Sequence, residues 1–264
     1  MDRGFLFGDG VYEVIPVFGG KPLRLDEHLD RLERSMDRVS LPNPLAADRW
    51  KEIFDKLLQK NPGGDRSIYL QVTRGAAPIR DLTVDPETPA TVFVMVNDIK
   101  PVDYAQLEAG MATITVDDFR WKACDIKSVS LIANVMMRLH ANRSDVVDAV
   151  LVRDGLVTEA TASNVFVVCG GVIATPPKSD CLLPGITRDL VIELARANGF
   201  AVEERDIRVD ELETVDEIWL TSSTREIAPV VKINDRVIGD GTAGDYWKKI
   251  IVIYKDYKQA LRNG

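Results

Sequence analysis

The segment between residues 148 and 176, DAVLVRDGLVTEATASNVFVVCGGVIATP, constrains the fold of this chain most strongly. Its apolar runs are short, and the Gly170-Gly171 pair separates two of them. Short apolar runs divided by a glycine pair are typical of consecutive strands joined by a tight hairpin turn. The second half of the chain is therefore predicted to contain a sheet.

The first third of the chain mixes strands with helices. Apolar residues recur at steps of four and three between residues 25 and 39, which marks one face of an amphipathic helix. A second helix is predicted over 49–61. Further apolar runs predict strands at 11–18, 67–75 and 90–96.

These patterns predict an α+β chain of two domains that meet near residue 100. The segment 97–110, NDIKPVDYAQLEAG, has the composition of a connector. We therefore expect a small α/β N-terminal domain at 1–98, a linker at 99–103 and a larger domain at 104–264.

Composition excludes several classes of protein. The net charge of −8 argues against a general nucleic-acid binder, which usually presents a basic face. No run reaches the roughly 18 apolar residues of a membrane-spanning helix, and the N-terminal residues do not resemble a secretory signal. The three cysteines form no C-x-x-C pair, so neither a disulfide framework nor a zinc site is expected, and a cytoplasmic location fits.

Lys127 stands just before an apolar helical run, in the segment CDIKSVSLIANVMM. Such a lysine is either a solvated surface charge, as most lysines are, or a buried amine that reacts with an aldehyde. Its companions decide between these readings. Glu159 lies among small and hydroxylated residues, where it is either a turn glutamate or a carboxylate beneath a flat ring, paired with a pyridine nitrogen.

Two segments have the composition of anion sites. In LPGITRDLVIELARANGF, a helix is predicted with Thr187 as its N-cap and Gly199 as its stop, and the free N–H groups of its first turn would attract an anion. The run Ser222-Ser223-Thr224 follows a predicted strand. Each is otherwise an ordinary cap or polar turn. Arg31 lies about 120° around the helix from the apolar stripe, as either a pocket residue or a solvated arginine.

Together these segments resemble the class IV, fold-type IV pyridoxal-phosphate enzymes. That family includes D-amino-acid, branched-chain and (R)-amine aminotransferases and aminodeoxychorismate lyase. The resemblance covers almost the whole chain, and the motifs occur in the family's order. They are DRGFLFGDGVYEV, EHLDRL, CDIKS, VTEATASNVF, LPGITRDLV and TSSTREIAPV.

The resemblance implies a role for each motif and pyridoxal 5′-phosphate as the cofactor, with no metal. Lys127 would form the Schiff base and move the α-proton of the substrate. Glu159 would pair with the ring nitrogen, and Tyr12 would face the substrate. The remaining implied cofactor contacts are phosphate ligands, Arg31, Ile186, Thr187 and Thr224, and residues near the ring edge, Ser163 and Ser223.

The resemblance also implies an architecture and a reaction. The larger domain would be mixed and β-barrel-like, and the active sites of a homodimer would lie between the two domains. The reaction would exchange an amino group between a D-amino acid, D-alanine or D-glutamate, and a 2-oxo acid. Alternatives are a branched-chain or (R)-amine aminotransferase, the lyase, or a pyridoxal-binding protein without catalysis.

Two features bear on the substrate. The Trp-x-x-Cys spacing before CDIKS favours the D-amino-acid branch, and Ser130-Leu131-Ile132 replaces the asparagine-tyrosine pair of branched-chain members. The usual arginine and histidine that trap the substrate carboxylate are altered in TRGAAPIRDLTVDPE. Arg80 is displaced, and we expect it to hold the carboxylate with Tyr12 and with Arg3 or Arg74. The alternative is a surface-loop arginine.

Overall fold

Strand β1 (Gly10–Phe18) confirms the strand predicted at 11–18 and is an interior strand of a four-stranded antiparallel sheet. Its neighbours are β2 (Lys21–Pro22) and β3 (Arg66–Thr73). Strand β4 (Thr91–Asp98) pairs with β3 and forms the opposite edge. The apolar side chains of β1 and β3 supply the buried layer of this sheet.

Two amphipathic helices accompany the sheet, as the apolar spacing predicts. Helix α2 (Leu25–Arg38) buries Leu29, Leu32 and Met36 and packs against β1. Each such side chain contributes about 2 kcal/mol when fully removed from water. The second is α3 (Ala47–Lys60), which confirms the helix predicted over 49–61, and a short helix, α1 (Arg3–Phe7), precedes β1.

The chain divides into two units, and these elements belong to the first. The computed structural model describes residues 1–263 of the protein. The first unit comprises Met1–Lys100, Ile126–Leu131 and the chain from Ala260 onward. The second comprises Pro101–Asp125 and Ile132–Gln259. The short segment that carries Lys127 is thus part of the first unit, although the second unit flanks it in sequence.

The second unit is built on a nine-stranded mixed sheet. The Gly170-Gly171 pair forms the predicted turn, and both glycines have positive φ, which residues with a Cβ rarely adopt. Its strands are β5 (Met111–Asp117), β6 (Asp148–Arg153), β7 (Leu156–Ala160), β8 (Asn164–Cys169), β9 (Val172–Thr175), β10 (Ala201–Glu204), β11 (Glu217–Ser222), β12 (Glu226–Ile233) and β13 (Arg236–Val237).

The strand order in this sheet is β10-β9-β8-β11-β12-β5-β6-β7, and β13 pairs with β12. Three pairs are parallel, β10 with β9, β12 with β5 and β5 with β6, and the other pairs are antiparallel. This mixed sheet confirms the α+β class. The helical elements are α4 (Tyr104–Glu108), α5 (Ile132–Arg143), α6 (Ile186–Ala197), a 3-10 helix (Val209–Glu213) and α7 (Asp245–Asn263).

Helix α6 begins earlier than the sequence predicted. Its N-cap is Gly185, and Thr187 lies inside the first turn, so the assignment of Thr187 as N-cap was wrong. The physical reason is a close approach. A Cβ added to Gly185 would lie 2.0 Å from Oδ1 of Asn164, so glycine lets the chain enter the helix beside that side chain. The cap residue itself provides no side-chain hydrogen bond.

The predicted connector at 97–110 contains helix α4. Asp103 is its N-cap, and its carboxylate accepts hydrogen bonds from the backbone N–H groups of Ala105 and Gln106, at 3.0 and 3.2 Å. None of the helices in residues 1–263 combines the length and apolar character needed to cross a membrane.

Candidate active site

Lys127 is fixed by its backbone on both sides. Its carbonyl oxygen accepts a hydrogen bond of 2.9 Å from the N–H of Tyr12, and its own N–H donates to Oγ of Ser35 at 3.2 Å. Its Nζ lies 4.2 Å from the centre of the Tyr12 ring, within the range of a cation–π contact. The amine is half-buried and positioned by strand β1, unlike a freely solvated surface lysine.

Tyr12 is held by a second aromatic ring on the same face of the sheet. It is opposite Gln71 in the β1–β3 ladder, so Tyr69 is its diagonal neighbour. The Tyr12 and Tyr69 rings stack with centroids 5.8 Å apart, and the Tyr69 hydroxyl donates to Oε1 of Gln71 at 2.6 Å. Lys127, Tyr12 and Tyr69 therefore form a continuous aromatic and cationic surface.

Glu13 forms the centre of a buried charge cluster with Arg31 and His28. Arg31 donates from Nε to Oε1 of Glu13 and from Nη2 to Oε2, both at 2.8 Å. Nδ1 of His28 lies 2.8 Å from Oε2 of Glu13. Although burial alone would raise the pKa of the Glu13 carboxyl, Arg31 and His28 hold that pKa well below its ordinary value.

His28 completes this cluster as a neutral imidazole. Burial lowers its pKa, so Nδ1 carries the proton and donates it to the Glu13 carboxylate. Its Nε2 is then an acceptor, and it is buried without a hydrogen-bond partner. The cluster therefore leaves one buried polar atom available for a ligand or a water molecule. The sequence prediction had identified Arg31 but neither Glu13 nor the role of His28.

In the second unit, Glu159 is a buried carboxylate at the end of β7. One oxygen pairs with Nη1 of Arg120. The other accepts hydrogen bonds from the N–H of Leu183 at 3.1 Å and from Nδ2 of Asn164 at 3.5 Å. Burial raises the pKa of the Glu159 carboxyl above its ordinary value, although Arg120 and the Leu183 N–H oppose that rise.

Arg120 is in turn oriented by Asp118. Its Nε and Nη2 each donate to one oxygen of Asp118, at 2.9 Å, in a two-pronged ion pair. Arg153 and Thr158 also reach Asp118, both at 3.1 Å. Arg120 and Asp118 were missed by the sequence analysis. The only available signal was an arginine beside the Trp-x-x-Cys spacing.

The two segments predicted to bind an anion both lie in the second unit. Ile186 and Thr187 are buried in the first turn of α6, where no side chain caps the helix. Ser223 and Thr224 lie in the turn between β11 and β12. Just before that turn, Oγ1 of Thr221 is buried and has no hydrogen-bond partner. The Thr221 hydroxyl is thus unpartnered, and the start of α6 has no side-chain cap.

Ser163 is buried in the turn between β7 and β8, four residues after Glu159. Its carbonyl oxygen accepts a hydrogen bond of 2.6 Å from the N–H of Ala160. This hydrogen bond closes the turn and holds Ser163 close to the end of β7.

Arg80 is exposed, and its guanidinium lies 4.9 Å from the centre of the Phe7 ring. The other two arginines considered for the carboxylate are engaged with the protein. Arg3 donates to Asp9 and to backbone carbonyls of residues 81–83, and Arg74 donates to Asp9 and to backbone carbonyls of residues 39 and 40. Arg80 therefore remains the most accessible of the three.

Within the described part of the chain, no group of three or more His, Cys, Asp and Glu side chains has an arrangement that could hold a metal ion. The polar atoms found here are instead an amine, carboxylates and unsaturated N–H and hydroxyl groups, which suit an organic anion with an aldehyde and a basic ring nitrogen.

Comparison with known proteins gives consistent matches. The family model for amino-transferase class IV matches residues 10–233. The D-alanine aminotransferase of Bacillus licheniformis is 40% identical over 252 residues, which cover 94% of this chain and 87% of that protein. The D-alanine aminotransferase of Staphylococcus aureus (strain N315) is 35% identical over 257 residues, 97% of this chain and 90% of that protein.

A solved structure has a similar fold. The fold IV transaminase CpuTA1 from Curtobacterium pusillum superposes with a TM-score of 0.82 at 29% identity, and the match covers 96% of this chain and 87% of that one.

Proposed function

We propose that this chain, which belongs to the class IV aminotransferases, transfers the amino group of a D-amino acid to a 2-oxo acid. It is a pyridoxal-phosphate-dependent enzyme, as its family requires. The preferred donor would be D-alanine or D-glutamate, and the acceptor pyruvate or 2-oxoglutarate. The similarity to D-alanine aminotransferases along nearly the whole chain carries this proposal.

The residues present fit pyridoxal 5′-phosphate. Lys127 offers an amine, and Glu159 offers a buried carboxylate for a ring nitrogen. The uncapped start of α6 and the unpartnered Thr221 hydroxyl suit a phosphate group. The bound cofactor supplies an electron sink for the negative charge that develops at the substrate Cα.

Lys127 would bind the aldehyde of the cofactor and would act as the base at the substrate Cα. Its backbone hydrogen bonds to Tyr12 and Ser35 keep Nζ in place, and the Tyr12 ring covers one side of it. A positioned amine can take the proton from the substrate Cα and would deliver it to the cofactor carbon that carried the aldehyde. Tyr12 would line the substrate position.

Glu159 would pair with the ring nitrogen and keep it protonated. That role needs a carboxylate, whereas burial raises the pKa of Glu159; Arg120 opposes that rise only in part, and the positive charge of a protonated ring nitrogen would oppose it further. Asp118 would keep Arg120 in this orientation. Asp118, Arg120 and Glu159 would thus act as a fixed ion-pair network and not as a path for proton transfer.

The phosphate would be held by the N–H groups of Ile186 and Thr187 and by the turn that contains Ser223 and Thr224. Helix N-termini favour anions because their N–H groups and dipole point toward the ligand. Arg31 would add positive charge, and Ser163 would lie near the ring edge. Arg80 would bind the substrate carboxylate, because a guanidinium matches its geometry.

We also propose a homodimer. Helix α5 exposes an apolar stripe at helical spacing, which a second copy of the chain would cover. The stripe consists of Ile132, Val135, Met136 and Leu139, which are between 49% and 72% exposed. A cytoplasmic location is proposed as well, because Cys124, Cys169 and Cys181 are all free thiols.

The experiment that tests the function is a substrate panel with the holoenzyme. D-Alanine, D-glutamate and L-leucine are each added, and conversion of the cofactor to its amine form is followed by absorbance. We expect conversion with the D-amino acids only. Lys127→Ala should abolish it, whereas Lys122→Ala, at an exposed lysine nearby, should not. Conversion with L-leucine but not D-alanine would contradict the proposal. So would pyruvate release from aminodeoxychorismate without any conversion.

A further inference from the structure

The turn between β11 and β12 has a conformation that its sequence does not favour. Glu226, the first residue of β12, has a φ of 59°, in the left-handed region that glycine adopts more readily. Glutamate in this region costs conformational energy, so surrounding contacts must hold it. Ser222 reinforces the turn, because its Oγ accepts a hydrogen bond of 3.2 Å from the N–H of Arg225.

The first set of contacts holds Arg225. Its Nη1 donates at 2.9 Å to Oδ2 of Asp148, which is fully buried at the start of β6. Oδ2 also accepts from Nη2 of Arg138 at 2.7 Å. The other oxygen, Oδ1, accepts from the hydroxyl of Thr161 at 2.5 Å and from the N–H of Ala149 at 2.9 Å. Asp148 therefore connects the β11–β12 turn to the turn that follows Glu159.

The second set of contacts holds Glu226. Its Oε1 pairs with Nζ of Lys258, which is 5% exposed on helix α7. Its Oε2 accepts a hydrogen bond of 2.8 Å from the hydroxyl of Tyr104 on α4, and Lys258 also donates to that hydroxyl at 3.3 Å. Moving the buried Glu226 carboxylate is costly, because it would break the ion pair with Lys258 and the hydrogen bond from Tyr104.

We propose that the ion pairs Arg225–Asp148 and Glu226–Lys258 are positioning devices that hold the Ser223-Thr224 turn in the conformation that binds the cofactor phosphate. They secure adjacent residues of one turn to separate elements, β6 on one side and α7 on the other. None of the four side chains needs to touch the phosphate. The inference rests on the proposed role of this turn.

The sign of the effect separates positioning from plain electrostatics. Asp148→Asn and Glu226→Gln each remove a negative charge near the proposed phosphate site. Electrostatics alone would then strengthen anion binding, whereas loss of positioning weakens it. The test therefore compares the dissociation constants of pyridoxamine 5′-phosphate and of pyridoxamine for the full chain freed of cofactor. Neither compound carries an aldehyde, so Lys127 chemistry does not contribute.

We expect the dissociation constant of pyridoxamine 5′-phosphate to rise about tenfold in both variants, and that of pyridoxamine to change by less than about twofold. The matched control is Glu217→Gln. Glu217 is a buried carboxylate at the other end of β11 and accepts from the Trp219 indole and two backbone N–H groups. It should leave the ratio of the two constants unchanged.

A further variant covers a failure of Asp148→Asn or Glu226→Gln to fold. Arg225→Gln leaves Asp148 paired with Arg138, so no buried charge is uncovered. It should weaken pyridoxamine 5′-phosphate binding. Where Asp148→Asn folds, the effects of the two substitutions should not add in a double-mutant cycle. Unchanged or tighter phosphate binding in the folded single variants, or strict additivity, overturns the inference. If wild type itself does not discriminate the two compounds, the proposed role of the turn fails instead.

Discussion

The guanidinium of Arg31 and the carboxylate of Glu13 form a two-pronged ion pair that is almost entirely removed from solvent. Glu13 points to the face of β1 opposite Tyr12, because successive side chains of a strand alternate. A single strand thus supports Lys127 and Tyr12 on one side and anchors Arg31 on the other. Substitutions on the face of β1 that carries Glu13 should therefore affect mainly the stability of the fold.

Glu13→Gln should lower the free energy of unfolding by about 3 kcal/mol, because it removes the carboxylate that pairs with the buried guanidinium of Arg31. Urea unfolding followed by circular dichroism measures this. The matched control is Glu52→Gln, which removes the carboxylate of an exposed i,i+3 pair with Arg49 and should cost about 0.5 kcal/mol or less. Equal losses in the two variants would show that burial of the Glu13 pair has no energetic consequence.

The stability of the protein should rise with pH up to about pH 6.5 because of His28. Burial lowers the pKa of His28 below its ordinary value of 6.5, although Glu13 opposes that shift. Below pH 6.5 the unfolded chain binds a proton that the folded chain excludes, so stability falls as the pH is lowered.

Two variants isolate the contribution of His28. His28→Asn retains a side-chain N–H donor but cannot titrate, and it should flatten the dependence of the unfolding free energy on pH between about 5 and 6.5. His140→Gln, at the other histidine of the chain, which is exposed, should leave the dependence as in wild type. A slope that persists in His28→Asn would assign it to another group.

Glu159→Gln should lower kcat for D-alanine about hundredfold, because a neutral amide stabilises the protonated ring nitrogen less well than a carboxylate does. Binding of pyridoxamine 5′-phosphate should persist, since its phosphate contacts lie on other residues. Steady-state kinetics and a binding titration test the two statements. Glu213→Gln, at an exposed glutamate, serves as the control. Full turnover in Glu159→Gln would remove the assignment of the ring-nitrogen partner.

Arg80→Ala should raise the KM for D-alanine about tenfold while changing kcat less, because it removes a carboxylate contact that persists from substrate to transition state. Arg34→Ala, at an exposed arginine of α2, should leave KM unaltered. Initial rates at varied D-alanine concentration provide both values. An unchanged KM in Arg80→Ala would mean that another group binds the carboxylate.

Val135→Asp should weaken the proposed dimer, because it places a charge in the apolar stripe of α5. Sedimentation velocity across a range of protein concentrations should then show a larger monomer fraction than in wild type. Arg143→Asp changes charge at an exposed residue beyond the stripe, at the end of the same helix. A monomeric wild type, or equal effects of the two variants, would contradict the proposal.

The sequence predicted the local elements better than the charge clusters. Apolar spacing identified α2, the strand at 11–18 and the Gly170-Gly171 turn, since these depend on neighbours in sequence. It missed Arg120, which meets Glu159 across 39 positions, because no local pattern records such a pairing.

The start of α6 illustrates a second limit. Thr187 precedes free N–H groups and is a residue type that often caps helices. The position of the cap, however, is set by a steric requirement. Asn164, the first residue of β8, lies so close to Gly185 that a side chain at position 185 would collide with it. Composition cannot reveal such a steric requirement.

The discontinuous first unit has a consequence for biosynthesis. Residues 126–131 emerge from the ribosome only after some 25 residues of the second unit, yet Ser128 and Val129 complete backbone pairing with the start of β1. A nascent or truncated polypeptide that stops at Lys100 would lack this pairing partner, and the N–H of Tyr12 and the carbonyl of Gly10 would remain hydrated. Maturation of the N-terminal unit is therefore delayed until translation has passed Lys127.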